Sequence, residues 1–448
     1  MKETYQRYTP NAPIKRKRRK KISRRPMVFF FFLLLLAGAV AALWLPLRPK
    51  YSEVEKRELT KFPEFKISAV ADGSYFRGIG EWYADTFPWR EIFMNVDGKI
   101  KAFYGIGDSV SELPNDLADD IPDAENVTAA PVTPVEQTAP VPEDADVEDA
   151  LIQKLSSVLI VDDAAYEYYS FTKSTADRYV AAVSRTANAL HGTARVFDLV
   201  VPTSMDITLS DRVRKRTNTG DQRKAIDYIY AAASPNCITV KTFDALRAHR
   251  KEYVYFRTDH HWTALGAYYA YREFAAAAGL NAGALTDFTE RKFDNFVGAF
   301  YNDSGKNKAL EKNPDTVIAY EPKATNDMVY VNKQGKSVKW SIITDVSTWN
   351  RGSLYNTFIG GDNPYSYISN PGVTDGSSCV IIKESFGNAF VPFLLSNYSQ
   401  IHVIDYRYWN GKLTDFVKEK GVKDVIYLNN ISATRNASLV NKLDGISQ

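Results

Sequence analysis

Cys379-Val380-Ile381-Ile382-Lys383-Glu384-Ser385-Phe386-Gly387-Asn388 is the stretch on which the fold of this 448-residue chain turns. A short run of consecutive apolar residues is the mark of a strand buried on both faces, and the residues from about 387 to 396 read as a helix. Ser385 therefore falls between the carboxyl end of a buried strand and the start of a helix. Ligands of open α/β sheets bind at that edge, and a helix N-terminus there offers backbone N–H groups to a developing negative charge. Ser385 is a candidate nucleophile on this reading and a simple N-cap on the plainer one.

Similar short runs flank it on both sides. Upstream they are Val158–Val161, Arg195–Pro202, Cys237–Val240 and Tyr253–Phe256, with helical spacing over 175–190 and 221–233. Downstream come Ile401–Asp405, a helix near 413–420, and Asp424–Leu428. Residues 290–368 read as loop-rich with a possible β-hairpin. Strands alternating with helices predict a three-layer α/β sandwich around a mostly parallel sheet, occupying residues 151–448.

The chain has five histidines, and two of them stand together in Arg257-Thr258-Asp259-His260-His261-Trp262-Thr263. In an extended segment Asp259 and His261 face the same way and His260 the opposite way. A carboxylate so placed orients an imidazole and stabilises its protonated form, as a general base requires. The alternative is a polar lead-in to a helix, with Thr263 as N-cap of a run to about Ala278. A metal site on Asp259, His260 and His261 is disfavoured because alternation splays the two imidazoles, and no metal or cofactor is expected. His402, inside a strand, reads as core. Beyond the neighbouring strands lie Tyr406 and Arg407, with Trp262 candidates for holding substrate, and Asn429, a candidate oxyanion donor or a turn residue.

Composition narrows the class. An apolar fraction of 45% suits a globular protein, and 27 tyrosines and 24 phenylalanines suit either carbohydrate contact or core packing. The net charge of +3 hides segregation: residues 15–25 are nearly all basic, whereas 108–149 are acidic. No nucleic-acid partner is indicated. Cys237 and Cys379 are the only cysteines, readable as a pair or as buried thiols.

The basic tail, residues 1–26, precedes an apolar run from Met27 to Leu47 that is long enough to cross a bilayer. A cluster of nine lysines and arginines within residues 15–25, just before it, places the N-terminus in the cytoplasm and the rest of the chain outside. A cleaved signal peptide is the rival reading; the length of the run and the lack of a small-x-small site favour an anchor. Residues 51–106 read as a juxtamembrane segment packing on the catalytic domain. Residues 107–150, rich in Pro, Ala and acidic residues, read as a disordered linker or insertion. Gly107-Asp108-Ser109 imitates a hydrolase motif but lacks a preceding buried strand.

Taken together, Asp259-His260-His261-Trp262, Arg57-Glu58-Leu59 with Phe62-Pro63, Asp85 to Arg90, and Lys383 to Gly387 resemble the bacterial DHHW family and the wider group of the alginate acetylation proteins AlgX and AlgJ. The resemblance implies an SGNH-hydrolase-like domain with its blocks circularly permuted, since the aspartate–histidine block precedes the serine block. It implies a triad of Ser385, His261 and Asp259 that moves acetyl groups onto an exopolysaccharide or cell-wall polysaccharide outside the cytoplasm, supplied by a membrane acyltransferase partner. The serine block reads Lys-Glu-Ser-Phe rather than Gly-Asp-Ser, and the glycine of the oxyanion hole is unassigned. An acetyl esterase and a non-catalytic scaffold of polysaccharide export are the alternatives.

Overall fold

The computed structural model describes residues 51–52, 57–58, 60–67, 70, 74–87, 121–122, 152–155 and 158–448. The tail, the apolar run 27–47 and the Gly107–Ser109 motif lie outside these residues. Among the described residues no helix is long and apolar enough to cross a membrane.

The chain forms two compact units, Met1–Ile100 and Lys101–Gln448. In the first, Tyr51–Ser52 pairs with Arg57–Glu58, and a helix spans Ser74–Asp85. Trp82 of that helix is buried with Phe62 edge-on against it, ring centroids 4.8 Å apart.

The second unit is built from α1 (Lys173–Leu190), β1 (Arg195–Val201), α2 (Gln222–Ala232), β2 (Cys237–Thr239), α3 (Ala264–Ala278), β3 (Asp327–Val331), β4 (Ser337–Ser341), β5 (Tyr365–Ser369), β6 (Ser378–Lys383), β7 (Gln400–Asp405), α4 (Leu413–Lys420), β8 (Asp424–Asn430) and α5 (Ala437–Ile446). Eight strands form one sheet in the order β4-β3-β5-β7-β6-β8-β1-β2. From β7 to β2 the neighbours are all parallel. β5, β3 and β4 extend the sheet antiparallel. The expected hairpin within 290–368 is therefore joined to the main sheet through β5. A second ribbon, Phe288–Phe296 with Asp315–Pro322, stands apart from it. Tyr253–Phe256 is no strand: only Tyr255 bridges, to Trp262.

Numbered from the serine strand β6, the parallel strands β7-β6-β8-β1-β2 read 2-1-3-4-5, a doubly wound order. The chain enters this order at its fourth position and reaches the first only at residue 378. Both sheet faces are covered. Phe197, Leu199, Ile381, Ile426 and Leu428 pack on Ala267, Ala270 and Phe274 of α3 and on Phe390. On the opposite face Val196, Val200, Val380, Ile382 and Tyr427 pack on α1, α2, α4 and α5. The alternation along β6 and β8 explains why their sequences are apolar without a break. Within the acidic segment, Ile121 is buried in this second cluster. Cys237 and Cys379 are both free and buried.

Candidate active site

β6 stops at Lys383, and the chain turns through Glu384 and Ser385 into a short helix, Gly387–Phe390. A 3-10 turn with Pro392 continues it to Ser396, so the helix expected over 387–396 is broken into two. The turn is close-packed: a side chain on Gly387 would overlap that of Lys383. Lys383 is buried, and its ammonium lies 3.0 Å from Asp405 and 3.1 Å from Asp362. Arg407 reaches the same two carboxylates, at 2.6 and 2.8 Å. Burial opposes ionisation of Asp362, but Lys383 and Arg407 outweigh it and hold its carboxyl well below the usual range. This network of two cations and two anions ties the ends of β6 and β7 together beneath the serine.

Glu384, buried beside it, ties β6 to β8. Its carboxylate accepts from the backbone N–H of Phe386 (3.1 Å) and of Asn430 (3.0 Å), and from the Ser385 hydroxyl (3.2 Å). Burial pushes the Glu384 carboxyl up, opposed by Arg407 and by those two N–H groups.

The histidine comes from a loop 124 residues earlier: His261 Nε2 lies 2.7 Å from Ser385 Oγ. His261 Nδ1 lies 2.5 Å from Asp259 Oδ1. The two residues meet through a turn rather than along a strand, because Asp259 Oδ1 also accepts the backbone N–H of His261 at 3.0 Å. Aspartate favours this local two-residue closure, which competes with extended backbone. The same turn overturns the expected splay of the imidazoles: the rings of His260 and His261 have centroids 4.0 Å apart and are inclined by 37°.

The other Asp259 oxygen accepts the N–H of Ala299 at 2.8 Å, and a Cβ on Gly298 would overlap the aspartate side chain. Burial would raise the Asp259 carboxyl, but the two imidazoles and these N–H donors bring it well below the ordinary range, so it is ionised. His260 is pushed down by burial and by the charge of His261. Asp259, His260 and His261 offer ligand atoms within 4.8 Å of one another. Both nitrogens of His261 are already engaged, by Asp259 and Ser385, so a metal ion there would compete with the hydrogen-bond chain.

Two supports had no spacing signal in the sequence. Tyr355 stacks on His261 at 4.0 Å between centroids, and its hydroxyl donates to the Ser385 carbonyl at 3.0 Å. Asp315, fully buried, accepts from the Thr258 N–H (2.8 Å), the Thr258 hydroxyl (2.6 Å) and the Tyr253 hydroxyl (2.5 Å), anchoring the loop before Asp259. The Thr258 hydroxyl in turn accepts the Gly298 N–H. As its position suggested, Thr263 caps α3, accepting the Gly266 N–H.

The remaining expected site residues are placed otherwise. Trp262 is fully buried, donating its indole N–H to the Phe386 carbonyl at 2.9 Å, so it braces the serine turn and is shielded from substrate. Tyr406 is buried in the second core cluster, and Arg407 is committed to Asp362 and Asp405. Asn429 is buried on the sheet face opposite His261, its amide directed at the Tyr179 hydroxyl, because strand alternation turns it away from the edge. It is no oxyanion donor. Its neighbour Asn430 meets Glu384 through backbone N–H and caps the next helix with its side chain.

The DHHW protein family model matches residues 55–130 and 134–404. The chain belongs to the DHHW family. A DHHW family protein from Eubacterium siraeum DSM 15702 shares 28% identity, covering 65% of this chain and 97% of its own, with a TM-score of 0.59. Bacillus cereus PatB1, solved with a sulfonyl adduct, has the same fold at 15% identity and a TM-score of 0.51, covering 65% of this DHHW protein and 99% of PatB1. The O-acetyltransferase domain of Pseudomonas putida AlgJ is matched at 13% identity over 66% of this chain and 99% of that one, with a TM-score of 0.34. No curated protein sequence matches the chain.

Proposed function

We propose that this DHHW protein is an O-acetyltransferase that modifies a polysaccharide outside the cytoplasm through an acetyl-Ser385 intermediate. The observation that carries the reading is the continuous chain Ser385 Oγ, His261 Nε2, His261 Nδ1, Asp259, with steps of 2.7 and 2.5 Å. His261 takes the hydroxyl proton as Ser385 Oγ bonds to the acetyl carbonyl carbon, and returns it to the departing donor oxygen. An acceptor hydroxyl then gives its proton to His261 and attacks the acetyl carbon; as the acetyl–Oγ bond breaks, His261 returns that proton to Ser385 Oγ. Asp259 fixes the imidazole's orientation and balances its transient charge. The parallel order starting from β6 supports an SGNH-like fold entered at a permuted point. The likeness to PatB1 motivates a sulfonyl fluoride as probe of Ser385.

In this reading the apolar run 27–47 anchors the protein, the polybasic tail stays inside, and a membrane acyltransferase supplies acetyl groups. Purified protein is expected to hydrolyse p-nitrophenyl acetate slowly and to accumulate an acetylated Ser385 peptide. Ser385→Ala, His261→Ala and Asp259→Ala each abolish this by a factor of about 10³ or more. Product analysis with polysaccharide present separates transfer from hydrolysis. Free acetate as the sole product at saturating acceptor would make the protein an esterase, and no acetyl-enzyme in the wild type would end the proposal.

A further inference from the structure

We propose that His260, the member of Asp259-His260-His261-Trp262 that the hydrogen-bond chain leaves unused, holds the acceptor. Its imidazole hydrogen-bonds one hydroxyl of a neutral sugar while the adjacent hydroxyl attacks the acetyl-enzyme. This role rests on the acetyl-transfer reading above and adds a substrate contact to that same site.

The way into the site runs past this imidazole. Asp259, His261, Trp262, Tyr355 and Phe386 are all buried, whereas Ser385 and His260 are part-exposed. His261 is held between two rings. Tyr355 stacks on it at 4.0 Å and 13°, and His260 lies at 4.0 Å and 37°. Tyr355 and His260 make no ring contact with each other, so they occupy opposite faces of the base. The Tyr355 face is closed, because that ring is buried and its hydroxyl donates to the Ser385 carbonyl. An alcohol that is to meet both Ser385 and His261 therefore comes in alongside His260.

The imidazole is free to receive it. Phe300 and Phe386 pack near its ring, at 6.1 and 6.4 Å between centroids, but neither ring nitrogen is hydrogen-bonded to a described residue. Polar groups this far from bulk water ordinarily have a partner. Burial and the charge of His261 push His260 down, so near neutral pH it is uncharged, with one N–H to donate and one nitrogen to accept. A hydroxyl also does both. A ring nitrogen of His260 lies within 4.8 Å of one of His261. Two adjacent pyranose hydroxyls, each hydrogen-bonded at about 2.8 Å, bridge such a gap.

Charge narrows the sugar. The carboxylates of Glu167, Glu384 and Asp303 act on His260. Lys383 and Arg407, the cations beneath the serine turn, are committed to Asp362 and Asp405. A uronate would meet repulsion there, and a neutral sugar would not. In the transfer step the attacking hydroxyl gives its proton to His261 as its oxygen bonds to the acetyl carbon. The acetyl–Oγ bond breaks and Ser385 Oγ takes the proton back. His260 neither gains nor loses a proton.

The test uses the full chain in detergent, acetylated by p-nitrophenyl acetate, with cellohexaose, xylohexaose or hexamannuronate as acceptor. Acetyl-Ser385 is followed by mass spectrometry, and products by the ratio of acetylated sugar to free acetate. Wild type is expected to acetylate at least one of the two neutral hexaoses. His260→Phe keeps a ring against His261 and removes both nitrogens, whereas His260→Gln removes the ring and keeps a donor and an acceptor. The Phe variant should lower the sugar-to-acetate ratio about tenfold, chiefly through a higher KM for the hexaose, and the Gln variant should retain most of it. A ring needed only to support His261 would give the opposite order, which overturns the assignment, as do equal ratios in all three proteins. Wild-type acetyl-enzyme that transfers to neither neutral hexaose, or to hexamannuronate alone, overturns it too. Absence of acetyl-Ser385 from wild type is a different failure, that of the acetyl-transfer reading itself, and takes the role of His260 with it.

Discussion

Gly298→Ala tests whether the catalytic reading depends on how tightly Asp259 is held. The backbone at 298 has φ −92° and ψ −155°, which alanine adopts without strain, so only space requires glycine there. The added Cβ would overlap Asp259 at its Cβ, Cγ and Oδ2 atoms. Ordinary carbon contacts lie at about 3.5–4.0 Å, so the carboxylate must retreat by roughly 1 Å. A misplacement of that size costs on the order of 10² in rate, equivalent to about 2.7 kcal/mol of transition-state stabilisation. Complete loss of the orienting carboxylate, as in Asp259→Asn, sets the outer bound at about 10⁴. The overpacking itself should cost about 1–3 kcal/mol of stability. Steady-state hydrolysis of p-nitrophenyl acetate, with calorimetry on the same preparation, gives both numbers. The expected pattern is a lower kcat with little change in KM. A folded Gly298→Ala variant with wild-type kcat would refute the idea that close packing against residue 298 positions the triad.

Three further outcomes follow from buried charges and amides. Burial raises the Asp198 carboxyl to about 7, with the Tyr179 hydroxyl opposing the shift. The folded state therefore keeps a proton that the unfolded chain sheds near pH 4, so stability should fall as pH rises from about 4 to 7, by up to ~1.4 kcal/mol per pH unit. Asp198→Asn should flatten that slope in thermal unfolding, and an unchanged slope would show that Asp198 is already ionised in the folded protein. Lys383→Met leaves Asp362 and Asp405 with Arg407 as their remaining cation at the serine turn; a loss of about 3 kcal/mol is expected in urea unfolding, with reduced ester hydrolysis, and a neutral effect would mean that Arg407 alone suffices. Asn429→Ala should lower thermal stability while leaving kcat within about threefold, because removing an oxyanion donor would cost about 10² or more. A large kcat loss would return Asn429 to the site.

The parallel half of the fold was readable because its strands are buried on both faces, and uninterrupted runs such as Val380–Ile382 admit few other meanings. β3, β4 and β5 were less legible: Tyr365–Ser369 and Ser337–Ser341 alternate tyrosine, serine, lysine and tryptophan, as half-exposed strands do, and blend into the surrounding loops. In the site, Ser385, His261 and Asp259 could be nominated from residue type and strand position. Their mode of contact could not, since an aspartate turn and an extended strand place the same two residues at the same spacing in sequence. Asp315 and Tyr355 were invisible for a different reason. They reach the site from distant segments, and a lone aspartate after a proline, or a tyrosine among twenty-seven, carries no local mark. Trp262 and Tyr406 misled because an aromatic next to a catalytic motif serves a binding surface and a core equally well in composition, and burial alone separates them.

The late arrival of the serine strand shapes how the protein is made. β1 emerges early and pairs with β2, but its other edge needs β8, near the end of the chain, as a partner. Until then β1 presents an open, apolar edge to whatever surrounds the growing polypeptide, a surface prone to wrong pairing. On the acetyl-transfer reading, reactivity is correspondingly deferred: among the described residues His261 gains its serine neighbour only when residue 385 has been made, so activity waits until biosynthesis is all but finished.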